Sequence, residues 1–579
     1  MEKKLVDDAL ESARKWIANP CFDVKFQKEI QSLIDKDEKL EILDRFYKDL
    51  EFGTGGLRAI IGAGRNRINT YTVAKATQAL ADTLKALKKE TLKVAISYDS
   101  RRFSKDFAQK AAEVLAGNGI FVYFYPHLNP VALLSFAIRY YKTDAGIMIT
   151  ASHNPPHYNG YKTYWNDGAQ VTPPHDQLII ENYKKITDFS QIASMDFQEG
   201  LSKKIICFMD NKVEDAYFAS IKQYTINKDL CRKKGCNLSI IYTPIHGTGL
   251  NPCTRALKQI GFSNITVVPE QARPDGAFPT VKSPNPEDPS ALKMAVDLLE
   301  KIDGDIVFGS DPDTDRIGLA LKHQGTIHYP NGNQIGLLLL HYLCSQKSQN
   351  KTLSDKSYFI KTIVTSPLQG EMARHFGVEE ENTLTGFKWI CRRMKEIEEN
   401  QKEREFLFAT EESFGYLNHG FIRDKDGIAP LTLLAEITLY YKERKKTLMD
   451  ALDDIYREFG FSQESLLSLS YEGKKGAEKI DRIMAHFRNL SRKKELAGEK
   501  LERVEDYSKG IDNIPPSDVL GFIFSSKNRF YLRPSGTEPK IKFYIMIQQH
   551  DGGLAEKKKN ACASAKKFLE FLKKEAHLA

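Results

Sequence analysis

Segments typical of strands and helices alternate along most of this chain, in three successive runs. The first run starts after residue 53 and includes the apolar segments Lys93–Tyr98 and Ala145–Thr150. The same pattern restarts near residue 205 and again near residue 334. Such alternation is typical of α/β domains, in which helices cover a sheet of mostly parallel strands. The sequence therefore predicts three similar mixed α/β domains.

The chain is long enough for a fourth domain, because 579 residues at roughly 150 residues per domain suggest about four. Strand-like segments near 519–532 and 541–547, followed by an amphipathic helix at 555–574, predict a smaller α+β domain at the C-terminus. We expect 461–480 to form a crossover, and residues 5–49 to form two amphipathic helices attached to the first domain. The predicted domains span residues 1–205, 206–327, 328–460 and 461–579.

Charge and cysteine content exclude several classes of protein. The net charge is +8, from 84 Lys and Arg against 76 Asp and Glu, and the two signs are intermixed. This slightly favours small acidic or phosphorylated ligands and disfavours nucleic acid as a partner. Eight scattered cysteines without a C-x-x-C motif indicate a reduced, cytoplasmic protein without structural zinc. No signal peptide and no membrane span is predicted, and nothing indicates an oligomeric state.

A serine is presented directly after one predicted strand, in the segment Thr150–Pro156, which we call the serine loop. The simplest interpretation is a surface serine in an Asn-Pro turn. A hydrolase nucleophile is disfavoured, because the residues around Ser152 do not form the G-x-S-x-G motif. A phosphorylated Ser152 fits better, since phosphoserine carries close to two negative charges and can bring oxygens to a metal ion.

Three alternating carboxylates, Asp311, Asp313 and Asp315, lie in the segment Ser310–Arg316, the aspartate loop. They would repel one another in a tight turn unless a cation lay between them, and hard oxygen ligands suit Mg²⁺ or Ca²⁺. The spacing does not fit an EF-hand, which needs Gly and Glu at positions occupied here by Arg and Lys. A solvated acidic turn is the alternative, which the flanking strands and the adjacent Arg316 make weaker.

Three further loops carry polar groups. Gly53–Arg58 is glycine-rich but lacks the third glycine of a dinucleotide site. Arg533–Lys540, the arginine loop, combines a guanidinium, hydroxyl groups and a glycine, which favours phosphate binding. Glu411–Gly415, the glutamate loop, offers acceptors for sugar hydroxyls. With the serine and aspartate loops they predict an active site in a cleft where all four domains meet.

Together these motifs resemble those of the α-D-phosphohexomutase family, in the family's order and over nearly the whole chain. The serine, aspartate and arginine loops look like the family's phosphoserine, metal and phosphate loops. Thr385–Trp389, the threonine loop, and the glutamate loop look like its specificity and sugar loops. The N-terminal part, with Trp16, Arg45-Phe46 and Phe52–Arg58, is similar to the phosphoglucomutase-2-like branch, which includes phosphopentomutases.

The resemblance implies a four-domain architecture around a central cleft and a mutase mechanism. Ser152, carried as phosphoserine, would donate its phosphoryl group to a sugar monophosphate. The resulting sugar bisphosphate would turn round in the cleft and return its other phosphate to Ser152. The implied cofactors are Mg²⁺ and glucose 1,6-bisphosphate, the latter as intermediate and activator.

The resemblance also assigns roles to individual residues. Mg²⁺ would bind to Asp311, Asp313, Asp315 and the phosphorylated Ser152. Lys162 and His153 are candidate acids or bases, and Arg58 and Arg316 would neutralise the transferring group. The residues expected to bind substrate are Thr385, Gly386, Lys388, Glu411, Ser413, Lys425, Arg533, Ser535, Gly536 and Thr537.

The resemblance leaves alternatives for the identity of the sugar substrate. The E-E-S-F-G form of the glutamate loop favours interconversion of glucose 1-phosphate and glucose 6-phosphate, the reaction of a phosphoglucomutase. A phosphopentomutase acting on ribose or deoxyribose phosphates is the first alternative, and a phosphomannomutase the second. Thr410 stands where the family usually has glycine, which bears on the sugar preference. A phosphatase and a non-catalytic protein of the same fold are further alternatives.

Overall fold

The computed structural model describes residues 2–53, 56–471, 473–535 and 540–578. The chain divides into two compact units. Unit one comprises Met1–Thr225, Cys231–Lys322 and Gly420–Thr432, and unit two comprises Ile226–Leu230, His323–His419 and Leu433–Ala579. In the described part of the chain, no helix is long and apolar enough to cross a bilayer.

Three helices precede the first sheet: α1 (Glu2–Ala18), α2 (Val24–Asp35) and α3 (Lys39–Phe46). Two helices are predicted for residues 5–49, whereas the structure has three, because the second predicted helix is divided between α2 and α3. Buried Trp16 and Phe22 stack at 4.1 Å between ring centroids and pack with Phe46 in a small apolar core. These helices therefore have a core of their own in unit one.

The first sheet has six strands in the order β1-β5-β4-β2-β3-β6. Its strands are β1 (Gly56–Ile60), β2 (Lys93–Tyr98), β3 (Phe121–Phe124), β4 (Ala145–Ile149), β5 (Tyr158–Trp165) and β6 (Ile206–Phe208). Its helices are α4 (Thr70–Lys85), α5 (Ser104–Gly117), α6 (Val131–Tyr141), α7 (His175–Lys185) and α8 (Phe197–Ser202). Strands β2, β3, β4 and β6 are parallel, whereas β5 runs antiparallel to both β4 and β1.

The second sheet has five strands in the order β11-β10-β9-β7-β8. They are β7 (Ile240–Thr243), β8 (Ile265–Val267), β9 (Ile306–Ser310), β10 (Ile317–His323) and β11 (Thr326–His328). The helices of this region are α9 (Asn211–Gln223), α10 (Lys228–Lys234), α11 (Leu250–Ile260), α12 (Pro269–Ala272) and α13 (Pro289–Ile302). Strand β7 is parallel to β8 and β9, and β10 returns antiparallel to β9.

The third sheet has four strands in the order β13-β12-β14-β15. They are β12 (Ser357–Thr362), β13 (Glu379–Thr383), β14 (Glu405–Glu411) and β15 (Gly415–Leu417). The helices are α14 (Gly332–Gln349), α15 (Pro367–His375), α16 (Phe387–Asn400), α17 (Ile428–Lys442) and α18 (Leu448–Phe459). Strand β12 is parallel to β13 and β14, and β15 returns antiparallel to β14.

These three sheets share one arrangement, which confirms three similar α/β domains. In each, the first parallel strand lies between the second and the third, and a fourth strand returns antiparallel beside the third. The turns from third to fourth strand hold the serine, aspartate and glutamate loops. Each turn contains one non-glycine residue in the left-handed region, namely Ser152 (φ 51°), Thr314 (φ 53°) and Phe414 (φ 58°).

The fourth sheet is antiparallel, with six strands in the order β16-β21-β20-β19-β18-β17. Its elements are β16 (Phe461–Ser470), α19 (Gly473–Leu490), β17 (Glu495–Leu496), β18 (Glu499–Asp506), β19 (Leu520–Phe524), β20 (Arg529–Pro534), β21 (Lys540–Gln549) and α20 (Leu554–Leu578). Helices α19 and α20 pack on this sheet through buried apolar residues. The smaller C-terminal α+β domain is therefore confirmed, while the exact domain boundaries remain predictions.

The predicted crossover at 461–480 is wrong. Its first half is strand β16, which pairs with β21 along all ten of its residues, and its second half begins α19. Strand β16 lies at the sheet edge and is mostly half-buried or exposed, so its sequence lacks the clear apolar alternation of an internal strand. Pairing with β21 fixes this strand.

Candidate active site

Three neighbouring strands of the first sheet bring the serine loop, Lys162 and Arg58 together. Strand β4 leads into the serine loop, and β5 returns beside it with Lys162 opposite Met148. Arg58 on β1 pairs with Gly160 on β5. A Cβ atom at Gly160 would lie 2.4 Å from the Thr150 carbonyl oxygen, so only glycine permits this close approach. The Arg58 side chain then reaches the loop and donates to Asn154 Oδ1 at 3.1 Å.

Ser152 connects the serine loop to the aspartate loop. Its side chain is buried, and its hydroxyl donates to Asp311 Oδ2 at 2.8 Å. The ring nitrogen Nδ1 of His153 lies 3.2 Å from the same hydroxyl oxygen. The structure thus brings two loops 159 positions apart in sequence into direct contact at the predicted reacting atom.

The aspartate loop holds three fully buried carboxylates whose oxygens lie within 4.8 Å of one another. Asp311 Oδ1 accepts from the backbone N–H groups of Asp315 at 3.0 Å and Arg316 at 3.1 Å. Among the described residues, no hydrogen-bond donor reaches Oδ1 of Asp313 or Asp315. Buried carboxylate oxygens without donors are a donor set that suits a hard divalent cation. The residues present therefore fit a metal ion.

Two lysines compensate part of the negative charge. Lys162 Nζ lies 2.8 Å from Asp313 Oδ2 and 3.6 Å from Asp315 Oδ2. Lys425 Nζ lies 3.1 Å from Asp315 Oδ2. Arg316 forms an ion pair with Glu287 at the edge of the same cluster. The site thus combines buried carboxylates with cations that could also contact a phosphoryl group.

Burial and neighbouring charges shift the pKa values of the carboxylates in opposite directions. Burial, together with the negative charges of Asp315 and Asp313, raises the pKa of Asp311 well above its usual range. Burial also acts to raise the pKa of Asp315, but the positive charges of Lys425 and Lys162 outweigh it and hold that pKa below its usual range. Asp315 is therefore ionised at neutral pH.

The two candidate acid or base groups are also shifted in opposite directions. Burial would lower the pKa of Lys162, but the charges of Asp313 and Asp315 outweigh it and raise this pKa. Burial lowers the pKa of His153 well below its usual value, and the guanidinium groups of Arg316 and Arg58 lower it further. In this arrangement Lys162 is an ammonium group and His153 is a neutral imidazole at neutral pH.

Lys425 lies beside the aspartate loop, in the segment 420–432, which is part of unit one. The Tyr164 hydroxyl donates to Asp424 Oδ2 at 2.7 Å, and the Tyr217 hydroxyl donates to Asp426 Oδ2 at 2.8 Å. The backbone N–H of Gly427 donates to the Thr314 carbonyl of the aspartate loop at 3.0 Å. These bonds position the segment that carries Lys425 beside the carboxylate cluster.

The remaining predicted site residues lie in unit two. Glu411 Oε1 accepts from the backbone N–H of Gly386 at 2.8 Å, which joins the glutamate and threonine loops. Gly386 has a φ of 116°, in the region that favours glycine. In the threonine loop, which also contains Thr385, the Lys388 ammonium lies 5.0 Å from the centre of the Trp389 ring. Ser413 lies in the same turn as Phe414.

Arg533, at the start of the arginine loop, and Lys542 act electrostatically on Glu412 of the glutamate loop within unit two. Burial raises the pKa of Glu412, and the positive charges of Lys542 and Arg533 partly offset this. Ser535 follows strand β20, and its backbone N–H donates to the Lys540 carbonyl at 2.7 Å. The predicted residues Gly536 and Thr537 lie outside the described residues.

Three residues near the serine and aspartate loops are not predicted from the sequence. Glu287 pairs with Arg316, Asp424 lies beside Lys162, and Arg101 contacts the backbone of the serine loop. Arg101 follows strand β2, whose end lies beside the end of β4. The charged segment Asp99–Arg102, which comes directly after a buried strand, is the sequence feature from which a position near the serine loop could be predicted. Glu287 and Asp424 lie in loops whose position depends on tertiary packing.

Sequence profiles of three domains match the chain: phosphoglucomutase/phosphomannomutase alpha/beta/alpha domains I, II and III, at residues 49–189, 215–325 and 331–459. The chain belongs to the phosphoglucomutase/phosphomannomutase family. A phosphoglucomutase of Staphylococcus aureus strain MRSA252 is 36% identical over 548 residues, which cover 92% of this chain and 96% of that protein. The protein of strain N315 with the same name is 36% identical over 546 residues, with the same coverage.

Solved structures of the phosphoglucomutase/phosphomannomutase family show the same fold. Paramecium pp63/parafusin, a phosphoglucomutase solved in an open form, matches with a TM-score of 0.69 at 19% identity, covering 91% of this chain and 95% of that one. A putative phosphomannomutase of Thermus thermophilus matches with a TM-score of 0.65 at 21% identity, covering 90% and 99%. The four-domain fold is therefore confirmed.

Proposed function

We propose that this protein is a phosphoglucomutase that interconverts glucose 1-phosphate and glucose 6-phosphate, with Ser152 carrying the transferred phosphoryl group. The observation that supports it most directly is the contact of the buried Ser152 hydroxyl with a buried carboxylate of the aspartate loop, surrounded by cationic side chains. Relatives named phosphoglucomutase at 36% identity over nine-tenths of the chain support glucose as the sugar.

Asp311, Asp313, Asp315 and the phosphorylated Ser152 would hold the metal ion, for which we propose Mg²⁺. When bound, it supplies Lewis-acid polarisation of a phosphoryl oxygen. The residues of the chain itself neutralise the remaining charge. Arg58, on β1, donates to the serine loop and would neutralise the transferring phosphoryl group together with Arg316. Positioning and charge neutralisation of this kind account for most of the catalysis of phosphoryl transfer.

The proton moves in the opposite direction to the phosphoryl group. A sugar hydroxyl oxygen forms a bond to phosphorus while the bond from phosphorus to Ser152 Oγ breaks, so the sugar hydroxyl must lose its proton. The neutral imidazole of His153 is the group placed to accept that proton, with Nδ1 3.2 Å from Ser152 Oγ. The departing Ser152 oxygen must gain a proton, and the ammonium of Lys162, which lies beside the same cluster, would supply it.

Residues outside the aspartate cluster would bind the sugar phosphate. Glu411 and Ser413 would bind sugar hydroxyls. The phosphate that does not react would be bound by Arg533, Ser535, Gly536 and Thr537. Lys425, beside the aspartate loop, would be a further phosphate-contacting lysine. Thr385, Gly386 and Lys388 would complete substrate recognition. Glucose 1,6-bisphosphate would be the intermediate and would return the enzyme to its phosphorylated form.

A turnover assay tests this function. The protein is incubated with Mg²⁺, a trace of glucose 1,6-bisphosphate and either glucose 1-phosphate, mannose 1-phosphate or ribose 1-phosphate, and both isomer and free phosphate are measured. We expect the highest kcat/KM with glucose 1-phosphate and little free phosphate. Higher kcat/KM with ribose or mannose 1-phosphate would contradict the sugar assignment, and free phosphate as the main product would contradict the mutase assignment.

A further inference from the structure

One arginine side chain donates hydrogen bonds to four backbone carbonyls, three in the serine loop and one at the start of β5. Nη2 of Arg101 donates to the carbonyl oxygens of Ser152, at 2.6 Å, and Asn154. Nη1 donates to the carbonyl oxygens of Pro155 and Tyr158, each at 3.0 Å. A guanidinium group is planar and rigid, so four acceptors held by one group are fixed relative to one another. Arg101 thereby determines the shape of the loop from Ser152 to the start of β5.

Arg101 is itself held in place on every side. Its Nε lies 3.5 Å from Asp99 Oδ2, and both side chains are fully buried. Asp99 Oδ1 accepts from the Arg101 backbone N–H at 2.9 Å and from the Ser104 hydroxyl at 2.6 Å. The guanidinium lies 5.1 Å from the ring centre of Phe278. The group therefore has neither the space nor the solvent contact to change its position easily.

The corresponding turns of the other two similar sheets are held by different groups. The residue that follows or ends the first parallel strand contacts the turn in each: the Thr248 hydroxyl donates to the Pro312 carbonyl at 2.9 Å, and the Thr362 hydroxyl donates to Glu412 Oε2 at 3.1 Å. Backbone N–H groups of Val131, Thr248 and Gly427 also donate to carbonyls of the aspartate loop. Separate groups thus hold that turn, whereas a single guanidinium provides four bonds to the serine loop and the start of β5. Like Thr314 and Phe414 in the other two turns, Ser152 has a left-handed backbone, with a φ of 51°, a conformation that persists only where the surroundings impose it.

We propose that Arg101 is a positioning residue for phosphoryl transfer, which fixes the serine loop so that the Ser152 oxygen stays on the aspartate loop. The inference rests on the proposed function of Ser152. Arg101 touches no reacting atom in this arrangement, because its donors are directed at backbone carbonyls. Its effect is on the placement of Ser152 Oγ, 2.8 Å from Asp311 Oδ2. A displacement of the reacting atom by about 1 Å costs on the order of 100-fold in rate.

The test compares Arg101→Lys with Arg102→Ala, a control in which the neighbouring exposed arginine is removed. Lysine keeps the positive charge, but its single ammonium group cannot bind four carbonyls as the planar, rigid guanidinium does. We expect kcat with glucose 1-phosphate to fall about 100-fold in Arg101→Lys, with KM within about twofold. Phosphate uptake by Ser152 from glucose 1,6-bisphosphate, followed by mass spectrometry, should slow by the same factor. In Arg101→Ala, part of the lost rate of phosphate uptake should return when guanidinium ions are added at low concentration.

Folding is checked by circular dichroism and thermal unfolding. Should the Arg101 variants not fold, Phe278→Leu decides, since it removes only the ring against the guanidinium. We then expect slower phosphate uptake by a folded protein whose Tm is somewhat lower, because Phe278 is fully buried. An unchanged rate in folded Arg101→Lys, or in Phe278→Leu where that variant decides, would overturn the proposal, as would a higher KM at unchanged kcat. Absence of phosphate uptake by the wild-type protein would instead contradict the proposed function.

Discussion

The serine loop and the glutamate loop occupy the same place in two sheets of the same order, yet their polar groups have different surroundings. Ser152 donates to one of three buried carboxylates that lie within reach of two lysines. Glu411 instead accepts a backbone N–H from Gly386, and Glu412 accepts the Thr362 hydroxyl. Among the described residues, the carboxylates grouped closely enough to share a metal ion are those of the aspartate loop.

This comparison separates what the backbone determines from what the charges determine. The meeting of strand ends places a reversing turn at the edge of each sheet. Buried carboxylates and cations then make the serine loop suitable for phosphoryl transfer, whereas hydrogen-bond acceptors make the glutamate loop suitable for recognition of hydroxyl groups. The account therefore predicts that changes in the first loop mainly lower kcat, and that changes in the second mainly raise KM.

The largest effect is expected for Ser152→Ala, which removes the oxygen that carries phosphate. Turnover should fall by about 10⁴-fold or more at an unchanged Tm. Ser202→Ala, at an exposed serine of the first domain, is the control and should retain full activity. Activity of Ser152→Ala within about tenfold of wild type would remove Ser152 from the mechanism.

Metal removal should have the next largest effect. EDTA is expected to lower activity by about 100-fold or more, because a bound cation contributes several kcal/mol to charge stabilisation, and Mg²⁺ should restore the activity. Asp315→Asn should require more Mg²⁺ for half-maximal activity, whereas Asp297→Asn, at an exposed aspartate in α13, should not. Full activity in EDTA would contradict the metal site.

A smaller effect is expected in the glutamate loop. Glu411→Gln weakens a charged acceptor, so KM for glucose 1-phosphate should rise about tenfold while kcat changes less. Glu405→Gln, at the exposed start of the same strand, is the matched control. A loss confined to kcat would show that the glutamate loop also acts in the chemical step, and the comparison would no longer hold.

The smallest effect is expected for Thr410→Gly, which restores the residue usual in the family. Thr410 is fully buried in β14 and pairs with Tyr416. Glycine there should lower the free energy of unfolding by about 1 to 2 kcal/mol, measured by urea denaturation, because it adds backbone freedom and removes a buried side chain. The ratio of kcat/KM for glucose and ribose 1-phosphate should change less than about threefold; a larger change would make Thr410 a determinant of sugar preference.

Sequence reasoning predicted the loops better than it predicted their neighbours. The serine and aspartate loops could be recognised because each directly follows a buried strand and combines residue types with one shared chemistry. Their contact, between residues 152 and 311, follows from the resemblance but not from spacing. Arg58 is placed beside the serine loop by pairing of β1 with β5, about a hundred residues apart, which local pattern does not reveal.

The pKa shifts of buried groups also could not be predicted from the sequence. A lysine base requires a lowered pKa, and only the structure shows that Asp313 and Asp315 raise that of Lys162. Arg101 lies in a segment that reads as an ordinary charged turn, and its role depends on which carbonyls it meets. The edge strand β16 could not be predicted from the sequence, because its conformation depends more on pairing with β21 than on an apolar pattern of its own.

The central claim is that Ser152 carries the phosphoryl group that is transferred to the sugar. The most direct measurement is phosphopeptide mapping of the dephosphorylated protein after incubation with Mg²⁺ and glucose 1,6-bisphosphate, followed by addition of excess glucose 1-phosphate. The account predicts one phosphate, on the peptide that contains Ser152, and its appearance in glucose 1,6-bisphosphate after the addition. Phosphate on another residue, or phosphate that stays on Ser152 during turnover, would contradict the claim.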